Sequence, residues 1–307
     1  MSAAADPAPR PSSSPSSSPS PGIAPRADAQ PGPRAAAYSS GPRAAARRVW
    51  GMMYRHIALF RRSWPRLLEL AYWPVVQMIV WGFVTAYIAG AQGNVATIAA
   101  GALLGGVLLW EVALRSQMGF AISFLEEIWS RNLGHVFVSP LRPRELVAAL
   151  IGMSAIRTAV GVLPAIALAW FLYGFGLFSL GPVVVLFFAA LMIMGWAIAL
   201  GVTAMILRHG AGAEALAWSL MMGLAPISAV FYPVSVLPGW LQPVAAIIPA
   251  SHVFEGMRAA LLEGRIAWGQ LAAAFALDAL WIAGMALVFL RQFHRARVKG
   301  ALLSIGE

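Results

Sequence analysis

Few residues of this chain have the types and spacing that catalysis or cofactor binding requires. The sequence contains no cysteine, five histidines at separate positions, and one lysine, Lys299. A Gly-x-x-x-x-Gly-Lys phosphate loop needs its lysine to reach the β- and γ-phosphates, and Lys299 lies close to the last residue. Neither His-Glu-x-x-His nor Gly-x-Ser-x-Gly occurs. We therefore predict that the chain is not an enzyme and has no ATP, cofactor or metal site of its own.

Four charged residues lie inside apolar stretches, where a charge is costly and is therefore a functional candidate. Glu111 and Arg115 are four residues apart, so they can pair on one helix face. Arg157 and Asp278 lie near the middle of two other apolar stretches and could pair between helices. Such pairs either fix helix packing or line a path for a polar headgroup, and the residues alone leave both interpretations open.

Apolar segments must position these residues. Of the 307 residues, 60% are hydrophobic and 11% are charged, whereas a soluble globular domain carries about 25% charged residues. This composition excludes a soluble globule and predicts a membrane protein that crosses the bilayer several times.

The positive charge of the chain is concentrated beside the apolar stretches. The formal net charge is +10, yet ten of the 22 basic residues precede residue 67 and four more lie between Arg291 and Lys299. Basic residues that flank apolar spans mark cytoplasmic ends. The charge therefore predicts a membrane orientation rather than binding to nucleic acid.

Two different segments precede the apolar stretches. Residues 1–45 are rich in Pro, Ser and Ala, without an apolar run to offset the entropy of ordering, so we predict a disordered tail. Residues 49–64 have a helical pattern with one apolar and one basic side. The apolar side contains Val49, Met53, Ile57, Phe60 and Trp64, and the basic side contains Arg48, Arg55, Arg62 and Arg66. We predict an amphipathic helix in the cytoplasmic interface, with its arginines among the lipid headgroups.

Six apolar stretches follow, each near the ~20 residues that a helix needs to cross the hydrocarbon. They cover roughly residues 67–90, 97–124, 146–173, 180–206, 215–236 and 268–290. The loops on the cytoplasmic side would contain Arg131, Arg142, Arg144 and Arg208, and the outer loops Arg258 and Arg265, balanced by Glu255 and Glu263. This bias predicts an all-α transmembrane domain over residues 46–298, with both termini, including the tail 299–307, in the cytoplasm.

The loop between the second and third stretches contains an acidic pair and a short amphipathic pattern. Glu126 and Glu127 come first, and apolar residues then recur at i, i+4 and i+7, at Trp129, Leu133 and Val136. Ser139-Pro140 ends the pattern. An acidic pair at the start of a helix suits the helix dipole. From the residues alone we predict a short interfacial helix.

The segment between the fifth and sixth stretches is rich in proline and aromatic residues. Each of its prolines removes a backbone donor and disfavours a continuous helix: Pro233, Pro238, Pro243 and Pro249. Tyr232 and Trp240 suit a membrane interface. The segment is either non-helical backbone covered by protein or cavity water, or a plain extracellular loop.

These two segments resemble those of the ABC-2 type permease family, and the resemblance covers most of residues 47–298. It implies that the loop with Glu126-Glu127 and Ser139-Pro140-Leu141 is a coupling helix that docks on a cytosolic ATPase. The coupling residues would be Glu126, Glu127, Trp129 and Arg131. It also implies two short re-entrant or interfacial helices on the outer side, at the exit of the substrate. The residues of this outer gate would be Tyr232, Pro233, Pro238, Pro249, Glu255 and Arg258.

The resemblance implies the permease subunit of an ATP-driven exporter in a bacterial cytoplasmic membrane. Its partners would be a cytosolic ABC ATPase, a second permease copy and membrane lipids, and its cargo a drug, a lipid-linked glycan or a polysaccharide. A self-sufficient carrier or channel is the alternative, and the four intramembrane charges are its support. A lipid-modifying membrane enzyme is a third class, but the sequence has no visible nucleophile, metal or acid–base set for it.

Overall fold

The computed structural model describes residues 41–62, 64–92, 94–130, 132, 139, 141–174 and 176–298. The predictions for residues 1–40, Arg131, residues 133–138, Pro140 and the tail 299–307 lie outside the described residues. Every regular element within the described ranges is an α-helix or a 3-10 turn, which agrees with the predicted helical class.

We number the described α-helices in chain order. They are α1 (Pro42–Arg62), α2 (Trp64–Gln92), α3 (Asn94–Trp129), α4 (Pro143–Tyr173), α5 (Val183–His209), α6 (Ala215–Ile227), α7 (Gln242–Ala246), α8 (Pro249–Leu262) and α9 (Trp268–Val298). The 3-10 turns cover Leu177–Leu180, Ala211–Glu214 and Val234–Val236. Because α1 begins at Pro42, the end of the predicted disordered tail is helical.

Local sequence determines where α4 and α5 begin and end. Pro143 is the first residue of α4, where its fixed φ suits the helix and its missing N–H costs nothing. The Glu145 carboxylate accepts the backbone N–H of Arg142 at 3.0 Å, which caps this helix start. Gly174 ends α4 with φ 63° and Gly210 ends α5 with φ 81°, in the left-handed region that glycine adopts at little cost.

Four of the described helices are long and apolar enough to cross a membrane: α2 over Leu67–Ile88, α4, α5 and α9. α3 is longer, at 36 residues, but it contains Glu111 and Arg115. Five of the six predicted stretches lie largely within one of these five helices. The hydrophobic pattern of the sequence therefore predicted where these helices lie.

The length predicted for the fifth stretch, residues 215–236, is wrong. α6 covers 13 residues, which make about 20 Å of helix, whereas the hydrocarbon core is about 30 Å thick. Pro226 lies in the last turn of α6, and Ala229 has φ 56°, which is uncommon for a residue other than glycine. The chain therefore turns after α6 instead of continuing as a helix.

α3 is buried along most of its length and packs against α2, α4, α5 and α8. Small residues allow the close approach of its neighbours. A Cβ atom on Gly119 would lie 3.2 Å from Cα of Ser154 in α4, and one on Gly195 of α5 would lie 2.8 Å from the Ala113 carbonyl. Bulkier residues at these two positions would push the helices apart.

Polar residues gather at the two ends of α3. Near its carboxyl end, α3 meets α1 and the first residues of α2, α4 and α6, and we call this region the α1 end. Near its amino end, α3 meets residues 230–233, α8 and the start of α9, and we call this region the α8 end. Most of the predicted site residues lie at one or the other.

Candidate functional site

Glu127, of the acidic pair, is buried at the α1 end and bonded within the chain. Its side chain is 1% exposed. Its Oε2 atom accepts hydrogen bonds from Nη1 of Arg55 and Nδ2 of Asn132, each at 2.8 Å. Its Oε1 atom lies 3.3 Å from Nε2 of His56. Arg55 of α1 therefore bonds this carboxylate at the end of α3, and His56 of α1 lies beside it.

Glu126 faces the other nitrogen of the same histidine. Its Oε2 atom accepts a hydrogen bond from Nη2 of Arg157 in α4 at 2.7 Å and lies 3.5 Å from Nδ1 of His56. Burial by itself raises the pKa of Glu126, but the contact with His56 and the charge of Arg157 outweigh burial and lower that pKa to about 2. Glu126 lies beyond the predicted span and is ionised at neutral pH.

A second contact joins α1 to the start of α4. The Nε and Nη2 atoms of Arg48 bond to the two carboxylate oxygens of Glu145 at 2.8 and 2.6 Å. This two-point geometry suits a guanidinium and a carboxylate. The guanidinium of Arg157 also lies over the ring of Phe60 in α1, 5.4 Å from its centroid. Charged and aromatic contacts thus join α1 to both α3 and α4.

The helical wheel predicted the wrong surroundings for two arginines of α1. It placed Arg48 and Arg55 on the side opposite the apolar residues, among lipid headgroups. In the structure Met52, His56 and Phe60 are buried, and the protein-facing side of α1 includes the edge that carries these arginines. Both arginines therefore reach protein carboxylates.

The four predicted intramembrane charges do not share one site. Glu111 and Arg115 pair as predicted, with Nε of Arg115 donating to Oε2 of Glu111 at 3.2 Å. The predicted pair of Arg157 and Asp278 is wrong, because Arg157 bonds to Glu126 instead. Asp278 in α9 is 1% exposed, and neither of its carboxylate oxygens has a hydrogen-bond partner among the residues that the structure describes.

No sequence pattern indicated a polar contact between α3, α4 and α5, which the structure contains. Oγ of Ser154 donates to the Ser116 carbonyl at 2.6 Å and accepts from Nε1 of Trp196 at 3.0 Å. Single Ser and Trp residues in apolar helices have no distinctive spacing. Only the packing of Ser154 between the two other helices reveals their connection.

A cavity of about 330 Å³ lies at the α1 end between α2, α3 and α6. Its aromatic and charged lining includes Trp73, Trp129, Trp218, Arg115, Arg157, Glu126, Glu69 and Glu214. The sequence did not single out Glu69, Trp73, Glu214 or Trp218. Such residues near the ends of apolar stretches look like ordinary interface residues.

At the α8 end, Glu255 and Arg258 of α8 hold the turn that follows α6. Oε1 of Glu255 accepts the backbone N–H of Val234 at 2.8 Å and a hydrogen bond from Nη2 of Arg258 at 3.1 Å. Nη1 of Arg258 donates to the Ala229 carbonyl at 2.9 Å. The two predicted gate residues therefore stabilise the left-handed turn at Ala229.

The other predicted gate residues shape the same region. Tyr232 donates from its hydroxyl to the Pro226 carbonyl at 2.8 Å. Pro233 precedes the 3-10 turn Val234–Val236, Pro238 begins the turn before α7, and Pro249 is the first residue of α8. The prolines thus lie at element boundaries, where a missing N–H costs little.

A second cavity, of about 470 Å³, lies at the α8 end. Its lining includes Glu255, Arg258, Glu263 and Arg265. Each carboxylate pairs with an arginine, at 3.1 Å for Arg258–Glu255 and 2.7 Å for Arg265–Glu263. The charges named here are therefore balanced.

The fold defines a helical membrane protein in which charged residues join helices at one end and shape a turn at the other. Within the described residues, no group of three or more His, Asp or Glu side chains could hold a metal ion.

The sequence model of the ABC-2 type transporter family matches residues 47–262, which is more than half of the chain, so the chain belongs to this family. The family domain is the transmembrane component of ABC transporters rather than their ATP-binding module. A search of curated proteins gives no match.

Proposed function

We propose that this chain is the permease subunit of an ATP-driven exporter in a bacterial cytoplasmic membrane. The observation that carries the proposal is the family match over residues 47–262. Two copies form the pathway, and a separate cytosolic subunit binds and hydrolyses ATP. The lack of any lysine before Lys299 in the sequence supports this division of labour, because a phosphate loop needs one.

In the proposed topology the α1 end faces the cytoplasm and α2, α3, α4, α5, α6 and α9 make the six crossings. Arg142, Arg144 and Arg208 lie near this end, which agrees with the positive-inside rule. α6 alone is too short to cross, so the turn after it, α7 and α8 complete the outer half of the fifth crossing as re-entrant segments. The short described helices between α6 and α9 support this arrangement.

The ATPase docks, in this proposal, on the loop that begins at Trp129, a residue that is 51% exposed. Direct contact of Glu126 and Glu127 with the ATPase stays a prediction, since both carboxylates have partners inside the chain. We assign them a positioning role. They bind the start of this loop to α1 and α4, so a push on the loop would move three helices together.

At the outer side, the turn held by Glu255 and Arg258 acts as the gate. A turn that depends on one carboxylate and one guanidinium can open when those few hydrogen bonds break. The cargo is an amphipath such as a drug, a lipid-linked glycan or a polysaccharide, because the pathway lies between apolar helices that contain polar pairs.

A gradient-driven carrier is the second candidate, and Asp278 favours it. A buried carboxyl group that lacks hydrogen-bond partners within the described part of the chain could hold a coupling proton. Transport without any ATPase, abolished by Asp278→Asn, would support the carrier. Transport that requires ATP and survives Asp278→Asn would exclude it.

Co-expression of the tagged chain with the ABC ATPase of a neighbouring gene tests the exporter proposal. We expect the two to co-purify and the complex to hydrolyse ATP, whereas the chain alone should bind no nucleotide. Replacing the phosphate-loop lysine of the ATPase by alanine should abolish hydrolysis and leave assembly intact. Micromolar nucleotide binding by the purified chain alone would contradict the division of labour.

A further inference from the structure

The cavity at the α1 end combines aromatic surface from three helices. Trp73 of α2, Trp129 of α3 and Trp218 of α6 line it, and these residues are 52%, 51% and 45% exposed. Leu70, Met118 and Leu125 add apolar surface beside them. At about 330 Å³ the cavity lies at the lower end of the range for ligand pockets. It can therefore take a compact group with both apolar and polar contacts.

The charges of the described residues that line this cavity do not balance. Arg115 is paired with Glu111, and Arg157 with Glu126. The other two carboxylates belong to Glu69 of α2 and Glu214, just before α6. Neither has an ion-pair or hydrogen-bond partner among the described residues. Once the two arginines are matched, the described part of the lining retains two unmatched negative charges, those of Glu69 and Glu214.

The cavity at the α8 end provides an internal comparison. The two carboxylates that line it are matched by arginines, and the described residues of its lining include no tryptophan. An ordinary interfacial belt would account for tryptophans at one membrane level. It would not account for unmatched carboxylates that share a cavity with those tryptophans. The combination favours a cation, because the faces of aromatic rings and carboxylates both attract positive charge.

We infer that the cavity at the α1 end binds the cationic headgroup of an amphipathic substrate, with Glu69 and Glu214 supplying charge and Trp73 and Trp218 aromatic surface. This inference rests on the proposed function and narrows its cargo to lipophilic cations. The apolar part of the substrate lies against Leu70 and Met118. The two paired arginines take no part in charge recognition.

Binding of two probes of matched shape and opposite charge tests the inference on the unmodified chain. Purified full-length chain in detergent is titrated with tetraphenylphosphonium and, separately, with tetraphenylborate. We expect saturable binding of the cation, at least about tenfold tighter than that of the anion. Equal affinities, or tighter binding of the anion, would overturn the inference without any mutation.

Substitutions of lining residues then test whether the cation binds in this cavity. Glu69→Gln and Glu214→Gln should each weaken tetraphenylphosphonium binding by about threefold to tenfold, and the double variant by more. Trp218→Leu should weaken it by about threefold or more. Glu263→Gln is the matched control, because it removes an exposed carboxylate at the α8 end. Unchanged affinity in the double variant, or an equal loss in the control, would overturn the assignment.

The glutamine variants should elute as the parent does in size-exclusion chromatography, since neither carboxylate has a partner to lose in the part of the chain that the structure describes. Failure of this inference is distinguishable from failure of the proposed function, because binding is measured without an ATPase. An ATPase that co-purifies and is active, combined with no preference for the cation, would refute the inference alone. Selective cation binding without any ATPase partner would refute the exporter alone.

Discussion

The α1 end and the α8 end both contain glutamate–arginine pairs, but the pairs join separate helices at the α1 end and are close in sequence at the α8 end. At the α1 end the partners are far apart in sequence, 72 positions for Arg55 and Glu127 and 31 for Glu126 and Arg157. At the α8 end Glu255 and Arg258 are three positions apart on one helix. Distant pairs join separate helices, whereas local pairs shape the loop beside them. In the proposed function, the α1 end would therefore move as a unit and the α8 end would open locally.

The paired glutamates at the α1 end are also more buried than those at the α8 end. The Glu127 side chain is 1% exposed, whereas that of Glu263 at the α8 end is 56% exposed. Breaking a buried pair leaves an uncompensated charge and costs about 3–5 kcal/mol. An exposed pair is worth about 0–1 kcal/mol. Substitutions at the two ends should therefore differ in how much stability they remove and in which region of the molecule they affect.

The largest effect is expected for Glu127→Ala. It leaves Arg55, His56 and Asn132 without this carboxylate, so we expect a loss of about 3–5 kcal/mol in the free energy of unfolding. Membrane abundance should fall with it. Unfolding of the purified protein in detergent, followed by circular dichroism, measures the change.

Glu263→Ala serves as the control, with an expected loss below about 1 kcal/mol. If the two variants unfolded alike, the contrast in burial would have no energetic consequence and the α1 end would not join helices.

Acid should weaken the α1 end. The folded-state pKa of Glu126 is lowered to about 2 from an ordinary 4.5, so its ionised form stabilises the folded chain. This stabilisation is fully present above about pH 4.5 and is lost as the pH falls towards 2. The free energy of unfolding of the parent and of Glu126→Gln is compared between pH 6 and 2.5. We expect the parent to be more stable, by a difference that shrinks below pH 4.5. A difference in stability that does not change with pH would contradict the assigned pairing of Glu126.

A smaller and more local effect is expected for Arg258→Met. It removes the hydrogen bonds to Glu255 and to the Ala229 carbonyl, at about 1–3 kcal/mol. Amide exchange should become faster in residues 228–236 and stay unchanged in α1. Faster exchange throughout the chain would show that the α8 end also joins distant helices.

The smallest effect is expected for Tyr232→Phe, which removes one hydrogen bond to the Pro226 carbonyl and keeps the ring. We expect a loss of about 1 kcal/mol or less, seen as slightly faster exchange at residues 226–232. A loss as large as that of Arg258→Met would make Tyr232, rather than the charged pair, the main support of the turn.

The sequence predicted the long helices well, because their apolar runs and their glycine and proline boundaries are local signals. It could not predict the end of α6. Pro226 marks a weak point, but the left-handed conformation of Ala229 depends on Arg258, 29 residues away. Non-local contacts of this kind have no local signature.

Charge pairing was predictable only within one helix. The spacing of Glu111 and Arg115 was sufficient to predict their pair. The partner of Arg157 depends on the rotation of α4 relative to α3, and the structure directs it to Glu126 rather than Asp278. The same argument applies to Arg48 and Arg55, because the helical wheel does not fix which edge of an amphipathic helix faces protein.

ATP hydrolysis by the reconstituted complex, per assembled permease, tests most directly whether the α1 end couples the membrane helices to the ATPase. Two variants are compared, Arg55→Met at the α1 end and Arg258→Met at the α8 end. We predict that Arg55→Met lowers permease-stimulated hydrolysis several-fold at unchanged assembly, whereas Arg258→Met leaves that stimulation intact. Equal stimulation in the parent and Arg55→Met complexes would contradict this prediction.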